Sequence, residues 1–404
     1  MREQGMANKA ADDASVQSSC VLTPAEVQAE KELALSYSGP MKEALLWEKA
    51  EKAKKGALRC RLCAHYCIIA DGDVGACLVR KNAGGKLFSL NWGQADGLAI
   101  DPIEKKPFFH FKPGSRLLSF GTPGCNFRCL NCQNWQLSQG MRTYGAATMS
   151  PKQMTPDEIA LAASRHSADG AAYTYSEPTI FFEYARDTVL ACREKQKQKK
   201  LSQDFFHVFV SNGYFTKEML DLVVKEKLLS AIRIDLKFMD DAHYWRVCGG
   251  RLQPVLDSIR RVAALRRNTG WPVHLEVINL VIPGQNDSDD DFEQVADFVR
   301  SVSPDIPLHF SRFFPYYKMS SLPPTAVERL QKAKKTAQDA GLRHVYVGNV
   351  AVPGGEDTRC PKCGELLIAR SHFGIGKNVF AGKEFRGARD PPCPKCGEKI
   401  NLIL

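Results

Sequence analysis

The chain has 404 residues, 44% hydrophobic and 25% charged, which is the composition of an ordinary soluble protein and too long for one small core. No run reaches the roughly 20 apolar residues of a membrane span and the N-terminus lacks a signal-peptide core, so no membrane contact and a cytoplasmic location are expected. The net charge of +10 is spread along the chain, with Lys195 to Lys200 the one dense basic run, so nucleic acid is not an expected partner.

Residues 1–57 read as a flexible tail and helix. The first 20 residues, with the isolated Cys20, are expected to be disordered. Thr23-Pro24-Ala25-Glu26 starts a helix that runs through Leu35, and Glu43 to Ala57 reads as a second short helix. Residues 58–112 form a cysteine module. Cys60, Cys63, Cys67 and Cys77, separated by the turn glycines Gly72 and Gly75, offer four thiolates. Zinc is the first reading, because four thiolates close a tetrahedron, and a second iron–sulfur cubane is the alternative. His65 is expected to hydrogen-bond the shell of that site. Leu87 to Gly97 reads as one or two strands. Asp101 to Pro107 reads as a loop with Glu104 and Lys105 in solvent.

From 113 to 350 the pattern alternates. Strand-like runs are Leu117 to Phe120, Ala171 to Ser176, His207 to Asn212, Ala231 to Lys237, Val273 to Ile282, Leu308 to Phe314 and His344 to Gly348. Helical patterns lie between them, which predicts parallel strands covered by helices. Six such units give an α/β fold, an incomplete (β/α)6 TIM-like barrel, whose reactive groups should gather where strands end. After the first of these strands come Cys125, Cys129 and Cys132 at C-x3-C-x2-C spacing. Three thiolates from one loop hold three corners of a [4Fe-4S] cubane and leave the fourth iron open. A zinc with a distant fourth ligand is the competing reading. Charged groups close two other strands, at Ser176-Glu177 and at Asp235-Lys237, where burial without a partner is costly. Glu276 and Asn279 are three apart on one strand, so at most one faces inward. His309 and Cys192 read as packed core residues, and Cys248 as a loop cysteine.

Residues 351–404 carry Cys-Pro-Lys-Cys-Gly twice, at Cys360/Cys363 and Cys393/Cys396. This is a four-thiolate knuckle pair, resembling zinc ribbons and rubredoxins, with zinc the first choice and a single iron the second. The Gly- and charge-rich stretch from Ile368 to Asp390 is expected to fold largely around the metal, with Phe373 to Lys377 a loop.

The Cys125 loop resembles the hallmark of the radical S-adenosylmethionine (SAM) enzymes. Cys-Asn-Phe-Arg-Cys, Cys-Gln-Asn-Trp and Tyr-Ser-Glu-Pro-Thr are similar to the glycyl-radical-enzyme activases typified by pyruvate formate-lyase activating enzyme. They are closer still to the AmmeMemoRadiSam-system branch. The resemblance implies a [4Fe-4S] cluster and SAM as cofactors. It implies reductive cleavage of SAM to a 5′-deoxyadenosyl radical that takes hydrogen from a protein or small-molecule substrate. It assigns SAM contacts to Asn131, Gln133, Ser176, Glu177, Asn212, Asp235, Lys237, Arg312 and Tyr317. Asn131 stands where the family usually has an aromatic beside the adenine, and Tyr317 where the activases have a histidine. The implied partners are a low-potential flavodoxin or ferredoxin and a protein substrate or Memo-like partner. A metal-stapled protein- or nucleic-acid-binding scaffold without radical chemistry is the alternative reading.

Overall fold

The computed structural model describes residues 22–150, 152–267 and 270–404. The expectations for Cys20 and the first 20 residues lie outside them. Eight strands form one open sheet: β1 (Asp96–Pro102), β2 (Arg116–Gly121), β3 (Gly170–Tyr173), β4 (Phe206–Ser211), β5 (Ala231–Asp235), β6 (His274–Val281), β7 (Leu308–Arg312) and β8 (Val345–Gly348). They lie side by side in chain order, β1 at one edge and β8 at the other. β2 to β8 are parallel, and β1 runs antiparallel to β2. The seven parallel strands are joined by six helical crossovers, an arrangement that fits a partial TIM barrel. β1 replaces part of the stretch expected to be loop.

Because side chains alternate along a strand, each strand feeds two layers. Outward residues such as Phe120, Tyr173, Phe209, Ile232 and Phe310 pack with the helices in the main core. Inward residues Leu117, Ala172, Val208 and Ala231 form a second core. That inner core is plugged by a segment entering the barrel, with Ile103, Phe108 and Phe111, and by Ile403 from the chain's end. Helix starts follow from their caps. Thr23/Glu26, Thr155/Glu158 and Ser288/Asp291 each form a reciprocal capping box, which satisfies amide donors that a helix leaves open.

Three local expectations are corrected. Glu43 to Ala57 is not a helix: Trp47–Lys49 pairs with Leu58–Cys60 as an antiparallel strand, and turns fill the rest. Packing over the cysteine module overrides the helix propensity of its Glu and Lys residues. Glu104 is not solvated but 2% exposed, accepting from the Gly114 amide at 2.9 Å and facing the buried guanidinium of Arg370. The C-terminal stretch does build a core. Leu366–Ser371 and Gly374–Asn378 form a hairpin, and Leu367, Ile368 and Phe380 pack with Ile400 and Leu402. The run expected as a loop is thus one arm of that hairpin.

Candidate functional site

A cavity of about 440 Å³ opens at the C-terminal ends of the strands. Cys125, Cys129 and Cys132 line it from the loop after β2. The opposite wall comes from the ends of β3 to β7 and includes Ser176, Glu177, Asn212, Asp235, Lys237 and Ser311. The Cys loop is held down by its neighbours. Arg128 and Leu130 amides donate to the carbonyls of Cys248 and Val247, at 2.8 and 3.0 Å. Arg142 donates to the carbonyls of both Ala76 and Cys125, at 3.0 Å each, and His65 Nε2 lies 2.8 Å from the Asn126 carbonyl. The loop can lie this close to the N-terminal module because Gly124 has φ +99° and no side chain: a Cβ there would meet Val79 at 2.9 Å.

Seven of the nine residues assigned to cofactor contact line this cavity: Asn131, Gln133, Ser176, Glu177, Asn212, Asp235 and Lys237. Their bonds differ from a simple ligand-ready array. Glu177 accepts from Thr179 N (3.0 Å), Thr179 Oγ1 (2.6 Å), Ser211 Oγ (2.8 Å) and Asn212 N (2.7 Å), so it ties the ends of β3 and β4 together. Burial pushes its carboxyl up against those four bonds. The Ser176 hydroxyl donates to the Thr122 carbonyl at 2.7 Å. Lys237 Nζ reaches Asp235 at 2.8 Å. Burial would lower this ammonium, but the Asp235 carboxylate together with Cys129, Cys248 and Tyr244 outweighs it and holds it well above the usual lysine range. Asn279 and Asn286 donate to the Lys237 carbonyl (3.3 and 2.7 Å), fixing that strand end.

Arg312 and Tyr317 are not among the residues lining the cavity. On β7, His309 and Ser311 face inward, so alternation turns Arg312 outward, where its Nε donates to the Thr325 carbonyl at 2.8 Å. Tyr317 has a left-handed φ of 54° and stacks on Trp135, ring centroids 5.2 Å apart, and the next amide, of Lys318, donates to the Leu130 carbonyl of the cysteine loop at 3.0 Å. His309 is buried, bonded to Glu276 at 2.7 Å. Glu276 faces the barrel interior and Asn279 does not, as the spacing required. Cys192 is buried in the core. Cys248 closes the helix Asp241–Cys248 and is buried beside Cys129, whose thiol it lowers by hydrogen bonding. It is not among the cavity-lining residues.

The floor of the cavity holds groups that motif reading passed over. Lys106 and Arg233 line it, with Lys105 and Tyr175 beside them. Lys106 bonds Asp101 at 2.6 Å, and the Tyr175 hydroxyl donates to the same carboxylate at 2.7 Å. Burial would raise the Asp101 carboxyl, but the bonds from Lys106 and Lys105 outweigh it and hold it well below its usual range. Arg233 bonds Asp235, two residues on along β5, and the i, i+2 rule was the sequence signal that placed both on one face.

A radical SAM superfamily model matches residues 120–299, the stretch that contains the cysteine loop and the ends of β2 to β6. The uncharacterized protein MJ0808 of Methanocaldococcus jannaschii is 41% identical over 334 residues, which is 82% of this chain and 92% of that protein. The chain belongs to the radical SAM superfamily. It is also similar to the pyruvate formate-lyase 1-activating enzyme of Escherichia coli K12, 24% identical over 58% of this chain and 93% of that one. The 4-hydroxyphenylacetate decarboxylase activating enzyme of Clostridioides difficile is 24% identical over 42% of this chain and 51% of its own length. This is therefore a radical SAM enzyme related to the glycyl-radical activases, and that family implies a [4Fe-4S] cluster and SAM.

The residues of this radical SAM enzyme fit those groups. Three cysteines face one cavity, and Asn131 Oδ1 is buried without a hydrogen-bond partner among the described residues. A buried orphan acceptor in a cavity is costly unless a ligand donates to it. The three cysteine sets also differ in spacing. Cys360, Cys363, Cys393 and Cys396 have sulfurs all within 4.8 Å of one another, and among the described residues they are the one such group. Their facing pairs are 3.6 and 3.7 Å apart. A tetrahedral ion with metal–sulfur bonds of about 2.3 Å sets its sulfurs about 3.8 Å apart. Cys60, Cys63, Cys67 and Cys77 share a small buried space with Arg80 but are spread more widely. Arg80 is 2% exposed, is paired with Glu183, and has Nε and Nη1 unsatisfied. Burial pushes the Cys60 thiol up to about 12, so loading that site with metal releases protons that neutral pH would otherwise leave on sulfur.

Proposed function

We propose that this enzyme cleaves SAM reductively at a [4Fe-4S] cluster held by Cys125, Cys129 and Cys132. The cluster and SAM, when bound, supply a 5′-deoxyadenosyl radical that takes a hydrogen atom from substrate. What carries the reading is that these three cysteines open onto the same cavity as Lys237, Asp235 and the unpartnered Asn131 oxygen. Lys237 supplies the cation for a carboxylate, and Asp235 holds that ammonium in place. Asn131 accepts from a nucleobase amine. Glu177 orients the strand ends from behind, and Asn212 donates to Asn126 Oδ1 at 2.7 Å within the cysteine loop. Gln133 is exposed at the mouth of the cavity. The plug from Ile103 to Phe111 closes the inner end, so water has to be excluded only at the mouth.

The other two cysteine sets serve as metal sites in the same reading. The tight C-terminal group suits zinc, with a single iron second. The wider N-terminal group, with a buried arginine beside it, suits a second cubane better than one tetrahedral ion, because a cubane spreads its thiolates over four irons. A low-potential flavodoxin or ferredoxin is the electron donor. A protein substrate, or a Memo-like partner of the AmmeMemoRadiSam kind, accords with the activase relatives.

The test is anaerobic reconstitution with iron and sulfide, then dithionite and SAM. The wild-type protein should become brown and yield 5′-deoxyadenosine, and Cys129→Ala should yield none. Protein that stays colourless, or a Cys129→Ala variant as active as wild type, would refute the proposal.

A further inference from the structure

The floor of the cavity is more basic than its own acids can balance. Four cations line it, Lys105, Lys106, Arg233 and Lys237. Two carboxylates serve all four. Asp101 is shared by Lys105 (2.9 Å) and Lys106 (2.6 Å), and Asp235 by Arg233 and Lys237. Glu177, the third carboxylate at this cavity, spends its acceptors on Thr179, Ser211 and Asn212 across the ends of β3 and β4.

Lys106 and Arg233 are the deep pair. The Lys106 side chain is 3% exposed and that of Arg233 9%. An ammonium carries three donors and a guanidinium five. Among the described residues, Lys106 Nζ has one acceptor, Asp101, and Arg233 Nε is buried with none. Leaving charged donors unsatisfied in a closed space is costly. The Tyr175 ring, 5.0 Å from Lys106 Nζ, covers one side of the ammonium, and its backbone is held at φ 64°, an uncommon conformation for a tyrosine. On the same face of β5, Ala231, two residues before Arg233, belongs to the apolar inner core with Phe108 and Phe111. Burial lowers Lys106 to about 8, with Lys105 and Arg233 adding to the effect against Asp101. A bound anion would reverse that.

We propose that Lys106 and Arg233 form the receptor for the anionic group, carboxylate or phosphate, of a small-molecule substrate bound at the inner end of the cavity. The assignment rests on the radical SAM reading of the same cavity and adds a substrate class to it. Small size follows because the cluster and SAM share the same cavity of about 440 Å³, closed at its inner end, which leaves little room beside them. Oxygen acids follow from a fork of guanidinium donors beside a point ammonium.

The test uses the full-length reconstituted protein. Binding of inorganic phosphate and of succinate is measured by calorimetry at fixed ionic strength, for wild type, Lys106→Met, Arg233→Gln and the charge-keeping Lys106→Arg. SAM binding to each protein is measured in parallel. The expectation is saturable binding of at least one probe, weakened tenfold or more in Lys106→Met and Arg233→Gln and within about threefold in Lys106→Arg, with SAM affinity retained. The probe that binds more tightly identifies the head group. Binding equal in all four proteins, or no binding of either probe to wild type at tens of millimolar, overturns the proposal while leaving SAM cleavage standing. Loss of SAM binding in every protein, wild type included, would strike the underlying reading instead.

Discussion

Glu276→Gln tests whether the barrel plug is held by one buried carboxylate. Glu276 is fully buried and accepts four hydrogen bonds. Oε1 takes the His110 amide (2.8 Å) and His274 Nε2 (3.2 Å), and Oε2 takes the Phe109 amide (3.0 Å) and His309 Nε2 (2.7 Å). Glutamine keeps the shape but has one oxygen, so its amide N–H2 must face two of the four donors. Two bonds to a charged acceptor are lost, at about 1.5–3 kcal/mol each, so the cost should be about 3–6 kcal/mol. Burial would raise the Glu276 carboxyl, but its histidine bonds outweigh that and hold it well below its usual value. A carboxyl lowered on folding stabilises the protein above its unfolded value of about 4.3, and that share is lost as pH falls. His274 and His309 are lowered, chiefly by burial, so unfolded chains take up protons below about pH 6.5 and stability falls there too. Guanidinium unfolding followed by circular dichroism, at pH 7 and in steps down to about pH 2, reads both effects. A Glu276→Gln midpoint equivalent to less than about 1 kcal/mol of loss at pH 7 would refute the reasoning.

Other outcomes follow from single contacts. Glu183→Gln leaves Arg80 buried without its carboxylate and should cost about 3–5 kcal/mol, visible as a lowered unfolding midpoint, with the N-terminal cysteine site losing its metal first. Lys237→Met should weaken SAM binding at least tenfold in calorimetry, with Lys237→Arg recovering part of it. Cys360→Ser should remove one zinc equivalent per chain by elemental analysis while the iron bound through Cys125, Cys129 and Cys132 stays. Equal loss of both metals would mean that the ribbon and the barrel do not fold separately around their ions.

The parallel architecture was legible because buried parallel strands are apolar throughout and their helices are periodic. The helix start at Thr23 and the cysteine spacings were legible for the same reason: each is a pattern within a few residues. That Arg312 and Tyr317 lie off the cavity lining was not legible, because family position says nothing of side-chain direction, which strand alternation and a left-handed turn decided. The helix expected from Glu43 to Ala57 failed because pairing across the module outweighed propensity.

By itself the sequence determined the three thiolate sets, the succession of strands and helices, and which strand ends carry charge, since all of these depend on neighbours in the chain. Only the tertiary structure decided how far apart the sulfurs of each set stand, and that Lys106, Glu104 and His110 enter the barrel. The plug meets β5, β6 and the chain's last residues across more than a hundred positions, where burial and hydrogen-bond satisfaction, not local preference, choose the partners.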